Sequence, residues 1–162
     1  MTHPGKKLNF MGNEIATFDE WNENESINWP IQNYPIHDDF NRYIKDLNFI
    51  YKNNPAFYAR DYYEDGFKWI VVDDANTSVF AYERRSANSR FLVVLNMANV
   101  YHGGYEFMYD ENLIFREKIN SFNNAYGGDK GAYRQIEIRK GEVLKLELWE
   151  YEAAVFEILK KK

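Results

Sequence analysis

The stretch that decides the fold is Val143-Leu144-Lys145-Leu146-Glu147-Leu148-Trp149, which follows the turn-forming pair Lys140-Gly141. Three leucines alternate here with two charged residues, so one side of the stretch is apolar and the other is polar. Successive side chains of a β-strand point to opposite faces of a sheet. The alternation therefore predicts a strand with one buried face.

Similar short strands precede and follow this one. They are predicted at residues 67–72, 78–84, 90–97, 105–109, 115–120, 133–139 and 154–159. Short alternating strands at nearly regular spacing, separated by polar turns, are typical of an antiparallel β-sandwich. The fold class predicted for the chain is therefore mainly β, with a C-terminal antiparallel sandwich over residues 61–162.

The first third of the chain has a different pattern. Leu8 to Met11 form an apolar run that is predicted to be one strand ending at Gly12, and a polar loop follows over residues 13–35. Residues 37–53 carry apolar side chains at helical spacing and are predicted to form a helix that Pro55 ends. Residues 1–60 are thus predicted to be a separate strand–loop–helix segment.

Composition excludes several classes of function. The net charge is −5, and the only basic cluster is the tail Lys160-Lys161-Lys162, so nucleic acid is not an expected partner. The longest aliphatic run, residues 91–95, is far too short to span a membrane. The chain has no cysteine and no signal peptide pattern, which favours a cytoplasmic protein.

No active site can be assembled from the residues alone. The doublets Asp38-Asp39 and Asp73-Asp74 stand at a predicted helix start and in a predicted turn, which are structural positions. The histidines at positions 3, 37 and 102 lack the spacing of metal ligands. We therefore predict no catalytic residue, no metal site and no cofactor in this chain.

A resemblance to a known family goes further. The residues Thr2 to Glu14, which include His3-Pro4-Gly5-Lys6-Lys7, resemble the last barrel strand of bacterial glycogen branching enzymes. Glu20-Trp21-Asn22 and Tyr126-Gly127-Gly128 are similar to later motifs of the same family, in the same order. Two stretches depart from its pattern, Ile15-Ala16-Thr17 and the run from Leu148 to Ala153.

The resemblance implies a fold and an activity. Family members belong to glycoside hydrolase family 13 and have a (β/α)8 barrel followed by a β-sandwich, so residues 1–60 would be the last strand, loop and helix of the barrel. They transfer α-1,4-glucan segments to 6-hydroxyl groups by a retaining mechanism. The three catalytic carboxylates of the family lie on earlier barrel strands, and no residue of this chain matches them.

The resemblance also implies candidate contacts with the α-glucan substrate. Asn13 and Glu14 directly follow the predicted last strand, and Trp21 lies in the next loop, so all three are expected near the rim of the barrel. Two interpretations stay open for Glu14 and Trp21: they contact glucan, or they brace the loop against the barrel.

The sandwich has two possible roles. It could shield the barrel, or it could bind glucan through exposed aromatics such as Tyr101, Tyr105 or Tyr126. We expect weak binding at most, because the core should claim the aromatic residues at strand positions. These are Phe67, Trp69, Phe80, Phe91 and Phe156. Finally, without barrel neighbours the first segment is expected to self-associate through residues 1–35.

Overall fold

A computed structural model describes residues 1–161 of the chain, and the predicted helix and the eight strands predicted for the sandwich are confirmed. The bounds are α1 Pro35–Asn53, β1 Phe67–Asp74, β2 Val79–Arg85, β3 Arg90–Asn96, β4 His102–Met108, β5 Leu113–Asn120, β6 Gln135–Ile138, β7 Val143–Leu148 and β8 Ala153–Lys160. Helix α1 starts two residues before its predicted start because Pro35 provides a favourable first helical residue. No helix within residues 1–161 has both the length and the apolar character needed to cross a membrane.

The strands form two antiparallel sheets of unequal size. The larger sheet has the order β1-β2-β3-β8-β5-β6, and the smaller one pairs β4 with β7. The deciding stretch, β7, places Leu144, Leu146 and Leu148 in the space between the sheets, where each is at most 1% exposed. This apolar layer holds the two sheets together as a sandwich.

The outer face of the larger sheet is covered by α1. Strand β3 shows how one strand serves both faces: Leu92 packs between the sheets, whereas Phe91 and Val93 pack toward the helix. Leu47 and Ile50 of α1 belong to this second apolar cluster. The helix is therefore joined to the sandwich by a continuous core that crosses the predicted boundary at residue 60.

The prediction of a strand at residues 8–11 is wrong for this chain. Those residues belong to no strand, and Leu8 is 83% exposed. A strand needs a neighbouring chain segment for its backbone N–H and C=O groups. None of the strands described in residues 1–161 lies beside this stretch.

The first seven residues are nevertheless bound to the sandwich. Arg84 of β2, whose side chain is fully buried, donates from Nη1 to the carbonyl oxygen of Thr2 at 2.6 Å and forms an ion pair with Asp61. The hydroxyl groups of Thr2 and Tyr82 lie 2.6 Å apart. Lys7 lies 3.7 Å from Asp61, so one buried cluster of charges holds the N-terminal stretch.

Candidate functional site

The loop between residues 11 and 28 encloses an open cleft of about 480 Å³. Its lining residues are Met11, Thr17, Asp19, Glu20, Trp21, Asn22, Glu25, Ser26, Ile27 and Asn28. Trp21 is 57% exposed, and its ring meets that of Phe10 edge-on at 5.8 Å. The cleft thus combines one accessible indole ring with carboxylate and amide groups and contains no cationic side chain.

Asn13 and Glu14 do not line this cleft. They lie in a short 3₁₀ turn, Asn13–Ile15, between two lining residues in the sequence. The carboxylate of Glu14 accepts a hydrogen bond from Asn9 Nδ2 at 2.9 Å, and Asn13 is exposed. The structure therefore separates Trp21 from the other two predicted contact residues and gives Glu14 a hydrogen bond within its own segment.

The polar face of α1 positions this turn. Asn41 Nδ2 donates to the carbonyl oxygen of Glu14 at 2.9 Å, and His37 Nδ1 donates to that of Ile15 at 2.8 Å. Gln32 Nε2 in turn donates to Asn41 Oδ1 at 2.9 Å. His37 and Asn41 are buried, and they stand four residues apart, which places them on one face of the helix. Sequence reasoning missed both residues, although this spacing was the signal.

A glycine makes the bend that leads into the cleft. Gly12 has a φ of 89°, in the left-handed region that side chains rarely adopt. A Cβ atom there would lie 3.0 Å from Thr17 Cγ2 and 3.3 Å from Ile27 Cγ2. Both the turn and the close approach of the loop therefore favour glycine at this position.

Next to the cleft lies an apolar groove of about 510 Å³. It is lined by Phe18, Asp19, Asn28, Ile31, Tyr34, Ile36 and His37. Phe18 is 84% exposed and Ile36 is 72% exposed, so this surface is apolar and open.

The three sandwich tyrosines differ in availability. Tyr105 donates to Asp74 Oδ2 at 2.6 Å, and burial together with this bond raises the pKa of Tyr105 to about 12. Tyr126 donates to Asp46 Oδ2 at 2.7 Å and so ties its loop to α1. Only Tyr101 of the three is exposed, at 41%, with its ring against Trp149. Two of the three side chains are thus engaged within the protein.

Of the strand aromatics expected in the core, Phe91 and Phe156 are fully buried. Phe67 and Phe80 are partly buried. Trp69, which lies on the edge strand β1, is 42% exposed.

Residues 69–158, which cover most of the sandwich, match a protein family described as "Alpha amylase, C-terminal all-beta domain". The chain belongs to this family. Its sandwich is the all-beta domain, and α1 packs on the outer face of the larger sheet of that domain.

Curated relatives extend the similarity beyond the all-beta domain. The chain is 40% identical over 127 residues to the 1,4-alpha-glucan branching enzyme GlgB of Rhizobium radiobacter, covering 78% of this chain and 17% of that protein. It is 36% identical to the GlgB enzyme of Cupriavidus necator, covering 84% of this chain and 19% of that protein. It is also 36% identical to the GlgB enzyme of Oceanobacillus iheyensis, covering 78% of this chain and 20% of that protein. The chain spans a fifth or less of the length of these relatives.

Several carboxylates of the all-beta domain and of α1 are engaged in ion pairs. Asp38 and Asp39 both pair with Arg42 on α1. Glu117 and Glu152 are buried, and Arg134 Nη2 lies 2.5 Å and 2.6 Å from their respective carboxylates. The sequence held a signal for Glu117, which is in phase with the buried residues of β5. Across residues 1–161, no three His, Asp or Glu side chains group together as a possible metal site.

Proposed function

We propose that this chain is the C-terminal part of a 1,4-α-glucan branching enzyme. In this proposal residues 1–60 are the last segment of a (β/α)8 barrel, with α1 as its last helix, and residues 61–162 are the C-terminal domain. The observation that carries the proposal is the 36–40% identity to branching enzymes over 78–84% of the chain. The parent enzyme would transfer α-1,4-glucan segments to 6-hydroxyl groups in the cytoplasm.

The chain itself would be non-catalytic. A retaining mechanism needs a carboxylate nucleophile and an acid held about 5 Å apart across the glycosidic bond. The buried carboxylates Glu83, Glu117 and Glu152 are each held in an ion pair with arginine, and none of them is exposed to flank a substrate bond. Amylose incubated with the chain should therefore keep its iodine colour. A loss of colour that grows with the concentration of the chain would contradict this.

Within the parent enzyme we assign the cleft around Trp21 to glucan contact. The apolar face of a sugar ring can pack on an exposed indole, while neighbouring carboxylate and amide groups bond its hydroxyls. The cleft supplies this combination with Trp21, Glu20 and Asn22. Asn13 and Glu14, which lie between two cleft residues in the sequence, would form the outer edge of the contact.

A matched pair of tryptophans tests this assignment. Trp21→Ala should reduce the retardation of the chain in a glycogen-containing gel. Trp29→Ala should not, because Trp29 is similarly exposed, at 50%, but does not line the cleft. Equal mobility of the two variants and the unchanged chain would contradict the assignment.

The proposal also includes a second copy of the chain as a partner, through residues 1–35. It is supported by the exposed apolar side chains of that segment, including Phe18, Trp29 and Tyr34. A cluster of exposed apolar side chains often marks an interaction site in a protein.

A further inference from the structure

The loop between β5 and β6, residues 121–134, lies against α1. The hydroxyl group of Tyr126 donates to Asp46 Oδ2 at 2.7 Å. Arg42 Nη1, one turn earlier in the helix, donates to the carbonyl oxygen of Ala125 at 2.7 Å. Arg42 and Asp46 stand four residues apart, so both contacts fall on one side of α1. The tip of the β5–β6 loop thus holds the helix by hydrogen bonds at two adjacent loop residues.

The two glycines that follow Tyr126 allow this close approach. Gly127 has a φ of 83°, in the left-handed region, and a Cβ atom there would lie 3.0 Å from Asp39 Oδ2 on α1. A Cβ atom at Gly128 would lie 2.1 Å from the carbonyl oxygen of Phe122 in the same loop. The first glycine therefore brings the loop onto the helix, and the second allows the loop to fold back on itself.

The base of the β5–β6 loop is fixed to the sandwich. The carboxylate of Glu152, which is 1% exposed, accepts hydrogen bonds from Lys130 Nζ at 3.1 Å and from Arg134 Nη2 at 2.6 Å. The ring of Phe122 stacks on that of Trp149, with the ring centroids 5.3 Å apart. Because its base is held by buried charges and by aromatic packing, the loop fixes the place of α1 relative to the sandwich.

The other side of α1 holds the turn beside the cleft. His37 and Asn41 bond two carbonyl oxygens of the turn Asn13–Ile15. Arg42, which bonds the β5–β6 loop, directly follows Asn41, so both contacts involve the same turn of the helix. A displacement of this part of α1 would therefore also displace the turn that precedes Trp21 of the cleft.

We propose that the β5–β6 loop positions α1 and, through α1, the turn beside the cleft, with Tyr126 as a positioning residue for the glucan contact. This inference rests on the function proposed above for the cleft and gives the sandwich a part in it. The apolar contacts beneath α1 are non-directional, whereas hydrogen bonds require a defined distance and angle. The bonds from the loop therefore fix α1 along and around its axis, which apolar packing alone does less well.

Tyr126→Phe tests the proposal with a small change, because it removes the hydroxyl group that bonds Asp46 and keeps the ring. Loss of one such hydrogen bond corresponds to a roughly threefold to tenfold increase in local opening. Hydrogen exchange at residues 12–17 should speed up by about this factor, and the chain should be retarded less in a glycogen-containing gel. Tyr151→Phe, at an exposed tyrosine between β7 and β8, is the control and should change neither property.

Gly127→Ala and Gly141→Ala form a second matched pair. The two glycines have φ values of 83° and 84°, so alanine introduces similar backbone strain at each. A Cβ atom at Gly141 would meet no atom of residues 1–161 within 4 Å, whereas one at Gly127 would meet Asp39 of α1. Only Gly127→Ala should therefore speed up exchange at residues 12–17. Circular dichroism will show that both variants keep the sandwich.

The outcomes separate this inference from the proposed function. If residues 12–17 exchange at the control rate in Tyr126→Phe and Gly127→Ala, or equally fast in Gly127→Ala and Gly141→Ala, the inference is overturned. It is also overturned if Trp21→Ala lowers the retardation in glycogen and Tyr126→Phe does not, and the glucan contact then stands. If only the loop variants have an effect, through faster exchange, the glucan contact is wrong and the positioning of the turn stands.

Discussion

In the sandwich the large apolar side chains face one another, whereas in residues 1–36 most of them face solvent. Phe91, Phe115 and Phe156 are completely buried, while Phe18 is 84% exposed and Ile36 is 72% exposed. The first segment is positioned mainly by polar contacts to α1 and β2 rather than by a core of its own. The two regions thus differ in what stabilises them: buried apolar area in one, and a small number of hydrogen bonds and ion pairs in the other.

The difference shows that a segment can be well positioned without being complete. Positioning requires only a few strong contacts, but stability in water also requires that apolar surface be covered. The sandwich and α1 meet both requirements within this chain. Residues 1–36 meet only the first, which is why the proposed partners, the barrel of a parent enzyme and a second copy, concern this segment.

The largest expected effect contrasts two phenylalanines. Phe156→Ala removes a ring from the layer between the sheets and should lower the free energy of unfolding by roughly 3–5 kcal/mol. Phe18→Ala should change it by less than about 0.5 kcal/mol, because the ring already faces water. Urea unfolding followed by circular dichroism measures both. Similar losses for the two variants would show that the first segment has a core like that of the sandwich.

A smaller effect is expected from the buried ion pair that joins the two regions. Arg84→Met removes the bonds to Thr2 and Asp61 and leaves Asp61 with only the more distant Lys7. Loss of one partner of a buried ion pair lowers the free energy of unfolding by roughly 3–5 kcal/mol. We expect a value at the lower end of this range, because Lys7 remains near Asp61. Urea unfolding measures this loss.

Arg60→Met is the control for this prediction, since its pair with Asp65 is exposed and should contribute less than about 1 kcal/mol. Limited proteolysis should also cut the N-terminal stretch of Arg84→Met sooner than that of the control. Equal unfolding curves for the two variants would mean that the buried pair does not connect the regions energetically.

The sandwich and the helix could be predicted from the sequence, because the apolar side chains that stabilise them recur periodically within each short stretch, as in β7. The prediction failed at residues 8–11, because an apolar run indicates a strand but does not say whether a neighbour is present to pair with it. The three predicted glucan contacts stay a prediction: Trp21 lines a cleft, whereas Asn13 and Glu14 are not among its lining residues. That separation depends on the left-handed turn at Gly12 and on buried hydrogen bonds to α1, which link residues distant in sequence.

Acid should weaken the sandwich through Glu83 of β2. Burial alone would raise the pKa of this carboxyl, but the ion pairs with Arg90 and Arg85 outweigh burial and hold the pKa below its ordinary value of 4.5. A lowered folded-state pKa stabilises the protein above the ordinary value, and this stability is lost as pH falls through the lowered one.

Glu83→Gln should therefore be less stable at neutral pH and should show a shallower loss of unfolding free energy below about pH 4. Glu106→Gln, which changes an exposed carboxylate of β4, should keep the acid dependence of the unchanged chain. If the unfolding free energies of Glu83→Gln and of the unchanged chain fell in parallel as the pH is lowered, the prediction would be contradicted.

The smallest expected effect concerns the bond between α1 and the turn beside the cleft. Asn41→Ala removes a donor from the carbonyl oxygen of Glu14 and an acceptor from Gln32, which should cost about 1–3 kcal/mol locally. Because the turn contributes little to the sandwich core, we expect this loss as local opening rather than as a shift of global unfolding. Hydrogen exchange should speed up at residues 12–17 and stay unchanged in the strands. In Asn53→Ala, which removes an exposed side-chain bond to Phe49 near the end of α1, residues 12–17 should exchange at the rate of the unchanged chain. If Asn41→Ala also left their exchange unchanged, His37 alone would be sufficient to hold the turn, and the polar face of α1 would be a weaker support for the cleft than its geometry indicates.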